Sequence, residues 1–201
     1  MDEKPALRNK WDKRHADAEK IPPATEVLRH NLHLLPGKGQ ALDLACGLGG
    51  NALALARRGL EVSAWDISPI AIERLRQFAA EEALANLSTE VRDVENLPPQ
   101  PNRFDLIIVS YYLERSLIPS LIDALRPGGL IYYQTFTRIA VSPLGPRNPA
   151  YRLDDNELLR LFSSLKLRFY REERLLGDVS QGIRDVAMLV AEKPPVHRPA
   201  A

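Results

Sequence analysis

From residue 41 to residue 133, short continuous runs of hydrophobic residues alternate with segments in which hydrophobic residues recur at helical spacing. Short apolar runs, such as Phe104–Ser110, are typical of strands that are covered on both faces, as parallel sheets require. Each run is followed by a segment with helical spacing, and the strand–helix alternation repeats along this region. Such a succession predicts a parallel sheet with helices on both faces, joined by right-handed crossovers.

The two ends of the chain depart from this alternation. Asp154 and Glu157 are spaced as a capping box, which predicts the start of a helix there. Gly177 and Gly182 lie between the last two apolar runs and indicate a hairpin, so an antiparallel strand is expected at the edge of the sheet. The predicted elements at the ends are helices over 6–20, 24–35 and 158–164 and strands over 165–175 and 185–193.

A glycine-rich turn follows the first predicted strand, in Ala41–Gly50. Gly47 and Gly49 allow the backbone to approach a small molecule without intervening side chains. Together with Ala52 they also satisfy the spacing of a dinucleotide-binding turn, which holds a pyrophosphate, so the glycines alone do not decide the ligand. Asp43 decides between the two, because a carboxylate would repel a phosphate and attract an ammonium group such as that of S-adenosylmethionine.

Two further acids follow the next predicted strands. Asp66 ends the second strand, where a carboxylate can accept hydrogen bonds from both hydroxyls of a ribose, in nicotinamide and adenosylmethionine sites alike. Asp93 follows the third strand. It suits either the amino group of an adenine ring, with Val94 as a backbone donor, or the capping of the next turn. Pro127 and Gly128 then fit the central positions of a type II turn before the fifth strand.

In this order, over about residues 41–137, these motifs resemble those of the class I S-adenosylmethionine-dependent methyltransferases. The resemblance implies an α/β fold with a Rossmann-like, doubly wound, mostly parallel seven-stranded sheet. An antiparallel edge strand and helices on both faces complete the expected architecture.

Three segments narrow this resemblance. Trp65-Asp66, Gly50-Asn51 and Trp11–Arg14 are similar to motifs of the tellurite-resistance and thiopurine group of small-molecule methyltransferases. Gly50 stands where that group often has an arginine, and His15 stands where it usually has an aromatic residue. The group implies S-adenosylmethionine as the cofactor, S-adenosylhomocysteine as the product and a small molecule as the acceptor.

The expected cofactor contacts come from several segments of the chain. Trp11 and Arg14 could cover the cofactor as a lid, or could dock the N-terminal helix onto the core. The predicted cofactor-binding residues are Trp11, Arg14, Asp43, Ala45, Gly47, Gly49, Asn51, Asp66, Ile67, Asp93, Val94 and Ser110.

The acceptor is expected beyond the carboxyl ends of the strands, where ligands of open parallel sheets gather. That edge should hold the end of the fourth strand, the loop over 138–152 and the hairpin connection over 177–184. Aromatic residues there could contact the acceptor or pack under loops, and arginines could bind an oxyanion or carboxylate or anchor the loops. The predicted catalytic residues are Tyr111, Tyr112, Arg147 and Arg184, with Arg138 and Arg152 as further candidates.

Composition limits the possible partners of this 201-residue chain. Its 27 basic and 26 acidic side chains give a formal charge of +1, so no global field draws it to nucleic acid or to an anionic bilayer. Apolar runs are shorter than the ~20 residues of a membrane span, and the single cysteine agrees with a reducing compartment. We therefore expect a cytoplasmic protein. His30 and His33 lack a third ligand nearby, so no metal site is predicted.

The predicted organisation is one methyltransferase domain over 1–193. It comprises an N-terminal helical cap over 1–36, a cofactor-binding core over 41–137, and a substrate loop, helix and hairpin over 138–193. Residues 194–201 contain little to bury and are expected to be disordered.

The predicted activity is methyl transfer to a small, possibly anionic acceptor, such as a thiol, a metalloid oxyanion or a thiopurine. One alternative is a methyltransferase that acts on RNA or protein. Another is a nicotinamide-binding or catalytically silent Rossmann protein. Ser110-Tyr111-Tyr112 disfavours base amino groups, because nucleic-acid amino methyltransferases usually place an acid or asparagine before Pro-Pro and an aromatic residue there.

Overall fold

A computed structural model describes residues 3–16, 18 and 20–195 of the chain. Within these residues no helix combines the length and the apolar character that a membrane crossing needs. Residues 196–201 of the predicted disordered tail lie outside the described part. The strands are β1 (Gln40–Leu44), β2 (Glu61–Asp66), β3 (Leu87–Val91), β4 (Phe104–Ser110), β5 (Leu125–Phe136), β6 (Lys166–Glu172) and β7 (Val186–Glu192). The α-helices are α1 (Glu3–Ala16), α2 (Glu26–His30), α3 (Gly50–Ala56), α4 (Pro69–Glu81), α5 (Ile118–Ala124) and α6 (Glu157–Leu161).

The strands form one seven-stranded sheet with the order β3-β2-β1-β4-β5-β7-β6. Strands β1 to β5 pair in parallel, and β7 runs antiparallel to both β5 and β6. This confirms the predicted doubly wound, mostly parallel sheet with antiparallel pairing toward one edge. The chain order reverses between β1 and β4, which is the point where ligands bind in open α/β sheets.

Two hydrophobic cores cover the two faces of this sheet. On one face, Leu28 of α2, Leu53 of α3 and Leu75 of α4 are buried against the strands. On the other face, Leu121 of α5 and Leu158 of α6 are buried in a second cluster. Because the central strands are covered on both sides, their apolar runs are nearly continuous, as the sequence pattern indicates.

The helix predicted over 24–35 from its leucine spacing is shorter in the structure. Its α-helical part is only Glu26–His30, and a 3-10 turn follows at Leu32–Leu34. Asn31 leaves the helical conformation with a φ of −120°, and its side-chain Nδ2 donates to the carbonyl of Val27 at 2.9 Å. Asparagine commonly ends helices in this way, because its side chain competes for backbone groups.

The helix predicted over 158–164 begins at Glu157, but its N-cap is Asn156, not the predicted Asp154, and Asn156 makes no side-chain cap hydrogen bond. Glu157 Oε2 accepts the backbone N–H of Asp154 at 2.8 Å, which is one half of the capping box. The α-helical part ends at Leu161, three residues before the predicted end. The N-terminal helix likewise ends at Ala16, within the range predicted over 6–20.

Candidate active site

The turn between β1 and α3 uses backbone conformations that side chains disfavour. Gly49 is the N-cap of α3 with a φ of 79°, and a Cβ atom there would overlap the side chain of Leu75. Gly47 has a φ of 53°, and a Cβ atom there would lie 3.2 Å from Cε1 of His15. The turn therefore presents backbone, not side chains, at the carboxyl end of β1. Ala45 opens the turn in the same left-handed region, with a φ of 55°.

Asp43 is a buried carboxylate directly before this turn, with 1% of its surface exposed. Its Oδ2 accepts the N–H of Ala52 at 2.9 Å, the one hydrogen bond that the described residues give to this side chain. Burial raises the pKa of Asp43 to about 8, against the opposing effect of the Ala52 hydrogen bond. A buried carboxylate with so few donors is stabilised by a nearby cation and repels an anion. The site therefore fits an ammonium group better than a diphosphate.

Asp66 connects the end of β2 to the same turn. Its Oδ2 accepts the N–H of Gly47 and its Oδ1 accepts the N–H of Ser68, both at 2.8 Å. Burial raises its pKa, although these two hydrogen bonds oppose the shift. Each oxygen retains a lone pair for a further donor, such as a ribose hydroxyl. Ile67, another predicted cofactor contact, lies between Asp66 and Ser68 in this connection.

Cys46 lies inside the glycine turn and is partly buried. Burial and the nearby charges of Asp43 and Asp66 raise the pKa of its thiol well above the ordinary value. The thiol is therefore protonated near neutral pH, and Cys46 behaves as a small packing residue.

Helix α1 brings the N-terminal aromatic residues to the turn. The His15 ring stacks on Trp11 with the ring centroids 6.0 Å apart, and the Arg14 guanidinium lies 5.6 Å from the Trp11 ring centre. Since the same His15 ring borders Gly47, these residues lie beside the cofactor turn. The sequence predicts Trp11 and Arg14 as cofactor contacts but assigns His15 no role in the site. The available signals were its position next to Arg14 and its place where the resembled group usually has an aromatic residue.

Two contacts fix α1 against the start of α4. Asp12 Oδ1 accepts a hydrogen bond from Ser68 Oγ at 2.5 Å. Arg74 donates to the carbonyl of His15 at 2.7 Å. Burial lowers the pKa of His15, although the charge of Asp66 opposes the shift. The imidazole is therefore stabilised in its neutral form while α1 is docked.

Asp93 lies in the connection after β3 and caps a turn. Its Oδ1 accepts the N–H of Glu95 at 3.1 Å, and its Oδ2 accepts Asn96 Nδ2 at 2.8 Å. These are the contacts of the turn-capping alternative. Val94 beside it is buried, with 6% of its surface exposed. An adenine contact by Asp93 and Val94 stays a prediction.

A chain of polar side chains leads from α3 to the end of β4. Thr25 donates to Asn51 Oδ1 from its N–H at 2.9 Å and from its hydroxyl at 3.0 Å. Asn51 Nδ2 in turn donates to Ser110 Oγ at 3.1 Å. The structure thus brings two predicted cofactor residues, Asn51 and Ser110, into direct contact and adds Thr25, which the sequence did not single out. The segment before Thr25 packs closely here, since a Cβ atom at Gly50 would overlap the carbonyl oxygen of Pro22.

The two tyrosines after β4 face different neighbours. Tyr111 has a φ of 58°, and its hydroxyl donates to Glu26 Oε2 at 3.3 Å and accepts from Gln134 Nε2 at 2.9 Å. Burial raises the pKa of Tyr111 to about 12. The Tyr112 hydroxyl instead donates to Glu95 Oε1 at 3.2 Å, in the connection after β3, and burial raises its pKa as well. Tyr111 therefore lies on the α2 side, and Tyr112 lies on the side where the adenine is predicted.

Two of the four candidate arginines hold the backbone of their own loops. Arg152 donates to the carbonyls of Pro146 at 2.7 Å and Thr137 at 2.9 Å. Arg184 donates to carbonyls of the β6–β7 connection, including that of Leu176 at 2.6 Å. Such contacts match the loop-anchor alternative of the sequence analysis.

The other two arginines lie in the loop after β5. Arg138 forms an ion pair with Asp154 at 2.7 Å. Arg147 is exposed, and among the described residues it has no hydrogen bond or ion pair. Asp185 joins this loop to the β6–β7 connection, because its Oδ1 accepts the N–H of Val141 at 2.7 Å. The structure therefore brings the two loops together but shows no shared contact of Arg147 with Arg184.

The described part of the chain holds no group of three or more histidine, cysteine, aspartate or glutamate side chains placed to bind a metal ion. The polar groups of the site instead suit an organic ligand with a cationic end and hydroxyl groups.

Residues 41–129 match the protein family described as a methyltransferase domain. The 2-heptyl-1-hydroxyquinolin-4(1H)-one methyltransferase of Mycobacteroides abscessus is 32% identical over 112 residues, which cover 52% of this chain and 49% of that protein. The ribosomal RNA small subunit methyltransferase C of Idiomarina loihiensis is 41% identical over 92 residues, covering 45% of this chain and 26% of that protein. The chain thus spans between about a quarter and about half of these curated relatives.

Among solved structures, TehB from Haemophilus influenzae superposes with a TM-score of 0.70 at 24% identity, covering 92% of this chain and 67% of that chain. The fold is therefore that of the class I methyltransferases. Together with the family match, this confirms the predicted resemblance to the class I S-adenosylmethionine-dependent methyltransferases. It also confirms S-adenosylmethionine as the cofactor that the resemblance implies.

Proposed function

We propose that the protein transfers a methyl group from S-adenosylmethionine to a small-molecule acceptor in the cytoplasm. One observation carries the proposal. Asp43 is a buried carboxylate beside a bare backbone turn, and Asp66 is hydrogen-bonded to that turn. The pair suits the ammonium group and the ribose of this cofactor and does not suit a diphosphate. Residues 1–193 would then act as one domain, with 1–36 as a cap, 41–137 as the cofactor core and 138–193 as the acceptor region.

The chain would hold the cofactor mainly through backbone and carboxylates. Asp43 would bind the ammonium group, Gly47 and Gly49 would let the backbone approach, and Asp66 would accept the ribose hydroxyls. Asp93 and Val94 would border the adenine, and Trp11 on α1 would cover the turn. When bound, the cofactor supplies an electrophilic methyl group on a positively charged sulfur.

Holding donor and acceptor in line would be the main catalytic contribution of the chain. Orientation of this kind can account for about 7 to 11 kcal/mol of a reaction barrier. Tyr111 stands at the carboxyl end of β4 with 44% of its surface exposed, so its ring is available to an acceptor. The loops after β5 and between β6 and β7 would enclose the acceptor and exclude water.

The acceptor class is a small nucleophile such as a thiol, a thiopurine, a metalloid oxyanion or a comparable hydroxylated molecule. Support comes from the TehB-type fold and from the similarity to a hydroxyquinolinone methyltransferase. The similarity to a ribosomal RNA methyltransferase favours RNA as a second candidate. Two observations weigh against RNA: the formal charge of +1, and Tyr111-Tyr112 in place of a base-gripping motif.

Calorimetry with S-adenosylhomocysteine and with NADH tests the cofactor assignment. We expect S-adenosylhomocysteine to bind and NADH to bind weakly, because an ammonium group stabilises the charged form of Asp43 and a diphosphate does not. Tight binding of NADH alone would reverse the assignment. A screen of thiols, thiopurines, phenols, selenite, tellurite and a short RNA, measured as S-adenosylhomocysteine formation, then tests the acceptor class. Turnover with RNA alone would contradict the proposal of a small molecule.

A further inference from the structure

A carboxylate that the sequence did not indicate lies at the acceptor edge of the sheet. Glu26 is the first residue of α2, and its Oε2 accepts Gln134 Nε2 at 2.6 Å and the Tyr111 hydroxyl at 3.3 Å. Its Oε1 forms an ion pair with Arg29 at 3.0 Å. The side chain keeps 29% of its surface exposed. The carboxylate is thus held on one side and open on the other.

The surrounding contacts fix the direction in which these donors point. Gln134 is fully buried in β5, and its Oε1 accepts the N–H of Val27 at 2.8 Å. Its Nε2 must therefore face Glu26 and Tyr111. Burial alone would raise the pKa of Glu26, but the hydrogen bond from Gln134 and the charge of Arg29 outweigh it, so the pKa is lowered. Glu26 is consequently ionised at neutral pH.

The backbone of Tyr111 is strained in order to hold its phenol here. A φ of 58° is uncommon for a bulky residue. Its N–H donates to the carbonyl of Gln134 at 2.8 Å, which retains the conformation. The Tyr111 ring lies 5.0 Å from the ring of Phe136, so an aromatic wall stands beside the carboxylate.

This group lies between the cofactor side and the acceptor loops. Gln134 pairs in register with Ser110, and Ser110 is hydrogen-bonded to Asn51 at the start of α3. Thr25, directly before Glu26, binds the same Asn51. On the other side, Phe136 precedes the loop over 138–152, and a Cβ atom at Gly145 of that loop would overlap its ring.

We propose that Glu26 faces the methyl acceptor and selects a neutral, proton-bearing nucleophile, a thiol or phenolic hydroxyl, over an oxyanion. The inference rests on the proposed methyl transfer. An ionised carboxylate beside aromatic rings accepts a hydrogen bond from such a molecule and repels selenite or tellurite. In the reaction the sulfur–methyl bond breaks with its electron pair left on sulfur, and the new bond joins the methyl group to the acceptor atom. The acceptor's proton leaves through the Glu26 carboxylate to bulk water.

The test compares Glu26→Gln with wild type on two acceptor classes. The neutral class is a small phenol and an aliphatic thiol, and the oxyanion class is selenite and tellurite. We expect kcat/KM for the neutral acceptors to fall about 10- to 100-fold in the variant, because a hydrogen bond to a charged group is lost. The kcat/KM for the oxyanions should stay unchanged or rise. Binding of the phenol to the protein loaded with S-adenosylhomocysteine should weaken similarly. Affinity for S-adenosylhomocysteine itself should not change. An equal loss for both classes, or no loss, would overturn the proposal.

Glu73→Gln is the matched control. Glu73 lies on α4 and forms an i,i+3 ion pair with Arg76 at 2.5 Å, the same spacing as Glu26 and Arg29, but away from the acceptor edge. Neither acceptor class should respond to it.

Arg29→Gln gives an independent test that keeps the carboxylate. Arg29 is half-exposed, and its removal takes away the cation that offsets the charge of Glu26. Preference for neutral acceptors should therefore increase, in the opposite direction to Glu26→Gln, and an unchanged or reversed preference would count against the proposal. Failure of the wild-type protein to bind S-adenosylhomocysteine would instead overturn the proposed methyl transfer, and the role of Glu26 with it.

Discussion

The proposed cofactor side and the proposed acceptor side of the site are built from different kinds of contact. On the cofactor side, the carboxylates of Asp43 and Asp66 are held by backbone N–H groups close to them in the chain. On the acceptor side, Glu26 is held by Tyr111, 85 positions away, and by Gln134, 108 positions away. Side chains there hold one another.

This difference separates two properties of the protein. Backbone contacts survive most substitutions, so the cofactor side depends on a few glycines and acids. Contacts between side chains change with any one partner, so acceptor preference can change while the cofactor site stays intact. Variants on the two sides should therefore have separable effects.

Asp43→Asn should have the largest effect on cofactor affinity. The variant leaves the cofactor's ammonium group without its buried counter-charge, and we expect a loss of about 3 to 5 kcal/mol, measured by calorimetry with S-adenosylhomocysteine. Asp105→Asn is the control, because Asp105 also accepts a backbone N–H but lies at the opposite end of the sheet, where it pairs with Arg126. An equal loss in both variants would contradict the assignment.

Asp43→Asn should also make the protein without cofactor more stable than wild type at high pH. Folded Asp43 keeps its proton up to about pH 8, whereas the unfolded chain releases it near a pKa of about 3.9. The folded state therefore binds more protons between these values, and the free energy of unfolding falls as the pH rises. Thermal unfolding should show Asp43→Asn above wild type at pH 8.5, with the difference narrowing toward pH 4. A constant difference would argue against a buried, protonated Asp43.

Asp66→Ala should weaken cofactor binding by about 1.5 to 3 kcal/mol, since it removes a charged acceptor for two hydroxyls. It also leaves the N–H groups of Gly47 and Ser68 without their acceptor, so Tm should fall as well. Asp105→Ala is the matched control. It also removes the acceptor of a backbone N–H, that of Gln40, but at the opposite end of the sheet. Unchanged affinity in a folded Asp66→Ala protein would count strongly against the ribose contact.

Arg152→Ala and Arg147→Ala should differ although both lie in one loop. Arg152 donates hydrogen bonds to loop carbonyls, so its loss should raise the KM of every acceptor. The loss in binding free energy should be about 0.5 to 1.5 kcal/mol for each hydrogen bond removed. Arg147 makes no such contact with the described residues, and its loss should weaken only the binding of anionic acceptors, by less than ~1 kcal/mol. Cofactor affinity should be unchanged in Arg152→Ala, in Arg147→Ala and in Arg184→Ala. Steady-state kinetics and calorimetry give the two readouts, and loss of cofactor affinity would defeat this placement of the loops.

Acidification should release α1 from the cofactor turn, with the smallest effect of this series. Because burial lowers the pKa of His15 below that of the free imidazole, docking is favoured by the neutral ring. The stabilisation is present above the ordinary pKa of about 6.5 and is lost as the pH falls through it. Fluorescence of Trp11 in a Trp65→Phe background should follow the change between pH 7.5 and pH 5. His15→Phe should abolish it, and a persistent pH response in that variant would exclude His15 as the cause.

The conformation of the glycine turn and of the start of α4 could be predicted from sequence because its signals are local. Gly49 needs a φ of 79° and space beside Leu75, which only glycine supplies, so the residue itself reports the conformation. Ser68 likewise caps α4, and its Oγ accepts the N–H of Ala71 at 3.2 Å. In both cases the residue type and the local structure determine each other.

The acceptor side could not be predicted in the same way. A glutamate at the start of a helix is ordinary helix chemistry, and nothing near Glu26 in sequence indicates Tyr111 or Gln134. Arginine is also ambiguous, because a guanidinium suits loop carbonyls as well as oxyanions. Arg152 and Arg184 show the first of these uses.

The missing side chain at Gly50 links the two sides. Because a Cβ atom there would overlap the Pro22 carbonyl, the peptide that leads to Thr25 and Glu26 can settle on the start of α3 only while this position stays bare. An arginine at position 50, as the tellurite-resistance and thiopurine group often has, would push that peptide outward and carry the carboxylate with it. The residue type at position 50 thus affects where the carboxylate of the proposed acceptor site lies.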